Sequence, residues 1–221
     1  MTSSKLHTLK QQLNLLQNPH EAQKMSAYMR QHFSFYGIPA TKRRDCFKPF
    51  LQADKKEKQI DWEFLNQAWC EEEREMQYFV LDYIRSLKTY LTTEDLEKLE
   101  KFARDKQWWD SIDHLARTIG YLVIKEPQFK NTMLAWAQDT DFWIRRIAIL
   151  HQLGYKDKTD PILLEKILSR NLGSDQFFIN KAIGWALRDY SKSHPNWVSD
   201  FLVRYQDQLA PLSIREASKY L

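Results

Sequence analysis

The sequence predicts an all-α protein, and three observations support that fold class. Apolar residues recur at spacings of three and four in nearly every segment, which places them on one face of a helix. Only 5 Gly and 7 Pro occur among the 221 residues, about half the usual combined share. Several helices also resemble one another at a fixed offset along the chain. Strand-like alternation between Gly or Asn-Gly turns is not found, so no β-sheet is predicted.

Individual helices are visible in the apolar spacing. Three examples are the sets Leu6, Leu9, Leu13 and Leu16; Met76, Phe79, Val80, Tyr83 and Ile84; and Ile179, Ala182, Ile183, Ala186 and Leu187. Helix starts are predicted where Pro falls near a first turn or where Asp or Thr can cap it. These starts lie at Asn18-Pro19, Gly37-Ile38-Pro39, Thr92 to Asp95, Glu126-Pro127, Asp160-Pro161, His194-Pro195 and Ala210-Pro211. They divide the chain into about a dozen helices of about 10–18 residues.

The later helices repeat. At an offset of 35 residues, DFWIRRIAIL (141–150) matches QFFINKAIGW (176–185), so that Arg146 meets Lys181. The segment WWDSIDHLA (108–116) begins a similar helix about 34 residues before Trp143. A period of about 30–45 residues that holds two helices is typical of an α-solenoid, in which each helical pair buries its apolar face against its neighbours. We therefore expect one repeat domain over residues 1–221, curved into a superhelix with a concave face; a compact helical bundle is the alternative.

The net charge of +4 hides a polarised chain. Residues 1–50 carry a net charge of +6, residues 51–100 carry −6, and the segments 101–150 and 151–221 carry +2 each. Basic side chains from separate repeats would line the concave face while the acidic stretch stays outside; ordinary solvated helix faces are the alternative. The triplet Lys42-Arg43-Arg44 opens a helix, where the helix dipole disfavours cations, so phosphate is a natural ligand for it.

Signals for targeting and cofactor binding are missing from the sequence. The first 17 residues lack the apolar core of a signal peptide, and no apolar run is long enough to span a bilayer. Cys46 and Cys70 stand apart from other ligand residues, which predicts reduced thiols and no metal site. The five scattered Gly form no phosphate-cradling loop, so no nucleotide cofactor is expected. The chain is expected in the cytoplasm, without a cofactor and away from membranes.

One set of polar and aromatic residues points to nucleic acid. Helical spacing and stacking of the repeats would join its members into a single stripe: Trp109, Asp113, Arg146, Lys181, Trp185 and Arg188. Indole and guanidinium groups suit a sugar–phosphate backbone. A carboxylate among them can stabilise a developing positive charge or position a water molecule. Taken alone, Asp113 is more typical of a surface ion pair, and spacing by itself indicates only a helical-repeat protein with a nucleic-acid-binding groove. The other aromatic positions are expected to pack inside the protein: Trp108, Trp136, Trp143 and Trp197.

The chain resembles the AlkD-type DNA alkylation-repair glycosylases, which are built from HEAT-like helical repeats. The similarity runs from about residue 20 to the end and is strongest in AYMRQHFSFYGI (27–38), WWDSIDH (108–114), WIRRIAILHQLGYK (143–156), FFINKAIGWALRDY (177–190) and LAPLSIREA (209–217). The resemblance implies a monofunctional glycosylase that hydrolyses the N-glycosidic bond of N3- or N7-alkylated purines in duplex DNA. Such purines are cationic, so the tasks that remain are to stabilise an oxocarbenium-like sugar and to deliver water. The family acts on the sugar from outside, without a base-flipping pocket.

The resemblance also implies roles for individual residues. Asp113 matches the catalytic carboxylate, and Trp109 and Trp185 match aromatic residues that pack beside the lesion nucleotide. Arg146 matches an active-site arginine that holds a phosphate or orients the surroundings of the carboxylate. The residues expected along the DNA groove are Tyr28, Arg43, Arg44, Lys156, Lys181 and Arg188. A monomer on duplex DNA is expected; the alternatives are an inactive repeat protein that binds DNA and an adaptor for protein partners.

Overall fold

The computed structural model describes the backbone of residues 2–221 and the side chains of residues 4–221. Within that range the chain is helical, and the only β feature is an isolated parallel bridge between Ser34 and Glu73. The all-α prediction is therefore confirmed. The helices are α1 (Thr2–Leu15), α2 (Pro19–Tyr28), α3 (Ala40–Glu57), α4 (Trp62–Cys70), α5 (Arg74–Ser86), α6 (Asp95–Arg104), α7 (Trp109–Lys125), α8 (Phe129–Trp136), α9 (Phe142–Leu150), α10 (Pro161–Ser169), α11 (Phe177–Ser191), α12 (Pro195–Arg204) and α13 (Pro211–Ala217). Short 3-10 turns add Lys88–Tyr90, Lys156–Lys158 and Ser218–Tyr220.

The chain divides into two compact units, Met1–Leu91 and Thr92–Leu221. The first unit holds α1 to α5, and the second holds α6 to α13. The expectation of one repeat domain over residues 1–221 stays a prediction, as does the concave face. No helix in the described part of the chain is long and apolar enough to cross a membrane.

The helices begin where the sequence predicts them. Proline occupies the first turn of α2, α10, α12 and α13, where its missing N–H removes no helical hydrogen bond. Two of these starts are also capped, because the side chain of Asn18 accepts from the backbone N–H of Glu21 and that of Asp160 accepts from Leu163. Local chemistry therefore determines where each of these helices starts.

The first unit packs around aromatic rings and a buried carboxylate. The ring of Phe79 lies 5.0 Å from that of Phe47 and 5.2 Å from that of Phe64, centroid to centroid. The carboxylate of Glu75 is fully buried and accepts hydrogen bonds from the backbone N–H groups of residues 36–38. These bonds fix the turn that leads into α3. Gly37 in this turn has a φ of +82°, a conformation that favours glycine.

The second unit is built from two layers of helices. In one layer α7, α9, α11 and α13 pack against each other in that order, and α6, α8, α10 and α12 flank them. The rings of Trp108, Trp143 and Phe178 form a row, with centroid distances of 5.7 Å between the first two and 4.8 Å between the last two. Since these positions are spaced by 35 residues, the predicted repeat is present in this unit and its helices stack in order. The packing role predicted for Trp108 and Trp143 is confirmed.

Two glycines allow the stacked helices to approach closely. A Cβ atom on Gly120 of α7 would lie 2.0 Å from the carbonyl oxygen of His151, which follows α9. A Cβ atom on Gly184 of α11 would lie 2.5 Å from the Cβ of Glu216 on α13. Any larger residue would force these helix pairs apart, so both glycines are required by packing within this unit.

Candidate functional site

The centre of the site is an ion pair between α7 and α9. The Nε of Arg146 donates to Oδ1 of Asp113 at 2.8 Å, and its Nη2 donates to Oδ2 at 2.9 Å. The remaining Nη1 donates to the carbonyl oxygen of Phe178 at 2.5 Å. The Arg146 side chain is only 1% exposed, whereas that of Asp113 is 21% exposed. The arginine therefore fixes the carboxylate from behind and leaves part of it open to a ligand.

This burial distinguishes between the two roles expected for Arg146. Its guanidinium is covered and its hydrogen-bonding capacity is directed at Asp113 and at a backbone carbonyl. A phosphate has no room to approach it directly. The geometry therefore favours the role of orienting the carboxylate.

Trp185 on α11 lies among three cationic side chains. The centre of its ring is 5.4 Å from the guanidinium carbon of Arg146, 5.8 Å from Nζ of Lys181 and 5.9 Å from the guanidinium carbon of Arg188. The spacing of Lys181, Trp185 and Arg188 along α11 places them on one face, as predicted. The half-buried indole thus links Asp113 and Arg146 to the cations of α11.

Trp109 begins α7 and stands one helical turn before Asp113. Both side chains are half-buried and share a face of the helix. The contacts of Arg146 with Asp113 and Trp185, together with this helical register, connect the predicted stripe within the second unit. The neighbouring Asp110 is buried in the first turn, as expected for a residue near the positive end of the helix dipole.

A buried carboxylate that the sequence did not single out holds the cations of α11. Glu216 on α13 accepts from Nζ of Lys181 at 2.8 Å and from Nη1 of Arg188 at 2.8 Å. Hydrogen bonds from Lys181 and Lys219 lower the pKa of Glu216 to about 2. Glu216 lies 35 residues after Lys181, which is one repeat length. This offset could have identified Glu216 from the sequence.

Lys156 lies outside the helices of the site. It is exposed in the 3-10 turn that follows α9, with a left-handed φ of 55°. The backbone N–H of Gly154 just before it donates to Asp189 of α11 at 2.6 Å. This bond ties the turn to the helix that carries Trp185.

The remaining predicted DNA contacts belong to the first compact unit. Tyr28 is the last residue of α2 and is 72% exposed. Arg43 lies in the first turn of α3 with its guanidinium carbon 4.3 Å from the centre of the Tyr78 ring, and burial lowers its pKa. Arg44 is exposed on the same helix. The triplet therefore opens a helix as predicted, although Arg43 is half-buried against an aromatic ring.

Other chemistry-bearing residues lie apart from these groups. Cys46 and Cys70 are both free thiols. Within the described residues, no group of three or more His, Cys, Asp or Glu side chains is arranged to hold a metal ion. His151, at the C-terminal end of α9, is 1% exposed, and burial lowers its pKa to about 4.

The geometry defines what the site can do chemically. A partly exposed carboxylate with a fixed orientation can stabilise a positive charge that develops beside it. Lysine and arginine side chains next to an indole suit a ligand with phosphate groups and apolar sugar faces. All of these groups lie in the second unit, on α7, α9 and α11.

Comparison with known proteins identifies the family of the chain. A search of curated proteins finds no significant match. Among solved structures, the chain is similar to a protein described as a predicted DNA alkylation repair enzyme from Enterococcus faecalis. The two share 37% sequence identity and a TM-score of 0.83, over 93% of this chain and 96% of that one. The family model described as DNA alkylation repair enzyme matches residues 9–221. The chain therefore belongs to the DNA alkylation repair enzyme family.

Proposed function

We propose that this protein is a monofunctional DNA glycosylase that hydrolyses the N-glycosidic bond of N3- or N7-alkylated purines in duplex DNA. The observation that carries the proposal is the carboxylate of Asp113, which the buried guanidinium of Arg146 holds by two hydrogen bonds while one side stays open. The partner is duplex DNA containing alkylated purines, and the protein acts as a monomer in the cytoplasm.

The reaction needs little from the protein beyond electrostatics and a water molecule. An alkylated purine is cationic, so its bond to C1′ breaks with the electron pair leaving on the neutral base. The sugar then carries the positive charge, which the carboxylate of Asp113 stabilises. Water adds to C1′ and loses a proton, with Asp113 positioned to orient the water or accept that proton. The products are the free alkylated base and an abasic sugar.

The groups around Asp113 have separate tasks in this mechanism. Arg146 is a positioning residue, since it acts through Asp113. Trp109 and Trp185 pack against the sugar and backbone of the damaged nucleotide, and Lys181 and Arg188 bind phosphates. These contacts reach the backbone, so the base needs no pocket and stays outside the site. The further residues proposed to contact DNA are Tyr28, Arg43 and Arg44 in the first unit and Lys156 in the second.

Release of base from methylated DNA tests this function. Duplex DNA containing N7-methylguanine or N3-methyladenine is incubated with the protein, and free base is separated by chromatography and quantified. Free methylated base and an equal amount of abasic sites are expected from the native protein and from Asp200→Asn, a control that removes an exposed carboxylate on α12. Binding of the duplex without base release would instead indicate the inactive DNA-binding alternative.

A further inference from the structure

The last helix brings a buried carboxylate under the cationic face of α11. Gly184 makes this approach possible, because a Cβ atom there would lie 2.5 Å from the Cβ of Glu216 and 3.0 Å from the carbonyl oxygen of Ser213. The Ser213 hydroxyl also donates to the carbonyl oxygen of Asn180 at 2.8 Å in a buried contact. The position of α13 against α11 is therefore set by packing at Glu216 and, one turn before it, at Ser213.

Glu216 divides its two oxygens between the cations that flank Trp185. Oε1 accepts from Lys181 and Oε2 accepts from Arg188, each at 2.8 Å. The Glu216 side chain is only 5% exposed, while those of Lys181 and Arg188 are about one quarter exposed. Lys219, three residues after Glu216, donates to Oε2 at 2.9 Å and is more exposed. One carboxylate thus orders the two cations beside Trp185, and that pair keeps a surplus of positive charge for phosphate.

We infer that Glu216 is a positioning residue of the site, which clamps Lys181 and Arg188 beside Trp185 so that the cations and the indole meet the DNA backbone as one rigid surface. The inference rests on the proposed function and adds α13 to the elements that build the site. Without the carboxylate, two like charges near one ring would repel each other and turn into solvent. They would still attract DNA, but no longer from the position that aligns the sugar with Asp113.

The first test separates reaction rate from affinity. Single-turnover base release and the Kd for the same duplex are measured for the native protein, Glu216→Gln, Glu216→Asp and the matched control Lys219→Gln. We expect Glu216→Gln to slow release by about tenfold or more while the Kd changes little, since misplacing a reacting group costs rate rather than long-range attraction. Glu216→Asp keeps the charge and should recover part of the rate. Lys219→Gln should behave as the native protein does.

Two results would overturn the inference. One is a native rate in Glu216→Gln. The other is a parallel loss of rate, affinity and thermal stability in both Glu216 variants, which would mean that the residue serves the fold alone.

A second test needs no catalytic activity. Acrylamide quenching of tryptophan fluorescence is measured in DNA-free protein. The contribution of Trp185 to this quenching is the difference between each protein and the same protein carrying Trp185→Phe. We expect Glu216→Gln to raise this contribution by about twofold, because cations that cover the ring are released, whereas Lys219→Gln leaves it unchanged. An unchanged Trp185 contribution to quenching in Glu216→Gln would contradict the inference that Glu216 holds Lys181 and Arg188 beside the ring. If native protein releases no base, the proposed glycosylase function fails, and the quenching result still decides whether Glu216 holds the two cations.

Discussion

Arg146 and Asp113 form a two-point ion pair across adjacent helices, at 2.8 and 2.9 Å, with the arginine fully covered and the carboxylate partly open. A guanidinium and a carboxylate match each other in this planar geometry, so both the position and the orientation of Asp113 are fixed. The pair joins α7 to α9 in the second unit, and the ring of Trp185 extends it to α11. A fixed carboxylate beside an indole and several cations is what the proposed reaction requires of the protein.

Replacing Arg146 with lysine should reduce both stability and activity. Lysine keeps the charge but cannot make two parallel hydrogen bonds, and it leaves part of the buried Asp113 pair unsatisfied. We expect the free energy of unfolding to fall by about 2–4 kcal/mol and base release to slow by about 100-fold. Denaturant unfolding and single-turnover kinetics measure the two effects.

Arg204→Lys provides the matched control for that experiment. Arg204 also pairs with both oxygens of a carboxylate, that of Glu165, but its side chain is 49% exposed. Its replacement should cost less than about 1 kcal/mol, because exposed pairs contribute little. Equal losses of stability in the two variants would contradict the claim that the buried Arg146–Asp113 pair contributes more to stability than the exposed Arg204–Glu165 pair.

Gly184→Ala and Gly120→Ala should both destabilise the second unit. At an exposed helix position, replacing glycine with alanine stabilises a protein by about 1 kcal/mol. Here the added Cβ would meet Glu216 or the carbonyl oxygen of His151 at 2.5 and 2.0 Å. We therefore expect the opposite sign, a loss of about 1–3 kcal/mol by denaturant unfolding. Ser199→Ala at an exposed position of α12 is the control, and a gain in stability in either glycine variant would show that the helices are not in close contact.

His151 should make the protein less stable in mild acid. Burial lowers its pKa to about 4 from an ordinary value of 6.5, and its Nδ1 lies 2.6 Å from the carbonyl oxygen of Ala148. Between these pH values the unfolded chain takes up a proton that the folded chain does not, so stability falls as the pH drops from 6.5 to about 4 and then levels off. Each pKa unit corresponds to about 1.4 kcal/mol.

His151→Gln should remove that part of the acid sensitivity. The slope of unfolding free energy against pH between 6.5 and 4 is measured for this variant, for the native protein and for His20→Gln. His20 is exposed, so His20→Gln is the control for replacing a histidine outside the core. The same slope in all three proteins would refute the assignment to His151.

The salt dependence of DNA binding should depend on Arg188. Each phosphate that a cation neutralises contributes about −0.9 to the slope of the logarithm of the association constant against that of salt concentration. Arg188→Ala should reduce the magnitude of this slope by about that amount, whereas Arg204→Ala, on the adjacent helix α12, should not. Titrations of a fluorescent duplex at several salt concentrations measure both. An unchanged slope in Arg188→Ala would remove this residue from the DNA contacts.

The fold was predictable because helix starts and repeats depend on local chemistry. Proline in the first turn, the caps at Asn18 and Asp160 and the 35-residue spacing of Trp108, Trp143 and Phe178 are all visible in the sequence. Each of these features acts within a helix or between neighbouring repeats. They can therefore be recognised without knowing how far each helix is shifted along the axis of its neighbour.

The partners within the site were harder to predict because they depend on that shift. Asp113 and Arg146 are 33 residues apart, two fewer than the repeat, so the offset alone does not pair them. Glu216 does follow the offset from Lys181, but a glutamate is usually exposed, and only the Gly184 contact shows why this one is buried. The burial of His151 likewise arises from the close approach of α7 at Gly120.

The single-turnover rate of base release in Asp113→Asn, set against the native rate at saturating protein, tests the proposed chemistry most directly. Asparagine keeps the shape of the side chain and an acceptor for Arg146 but removes the charge that would stabilise the oxocarbenium-like sugar. The proposal predicts a rate at least about 100-fold lower, with the duplex still bound at near-native affinity because it assigns the phosphate contacts to Lys181 and Arg188 and none to Asp113. A native rate in Asp113→Asn would contradict it.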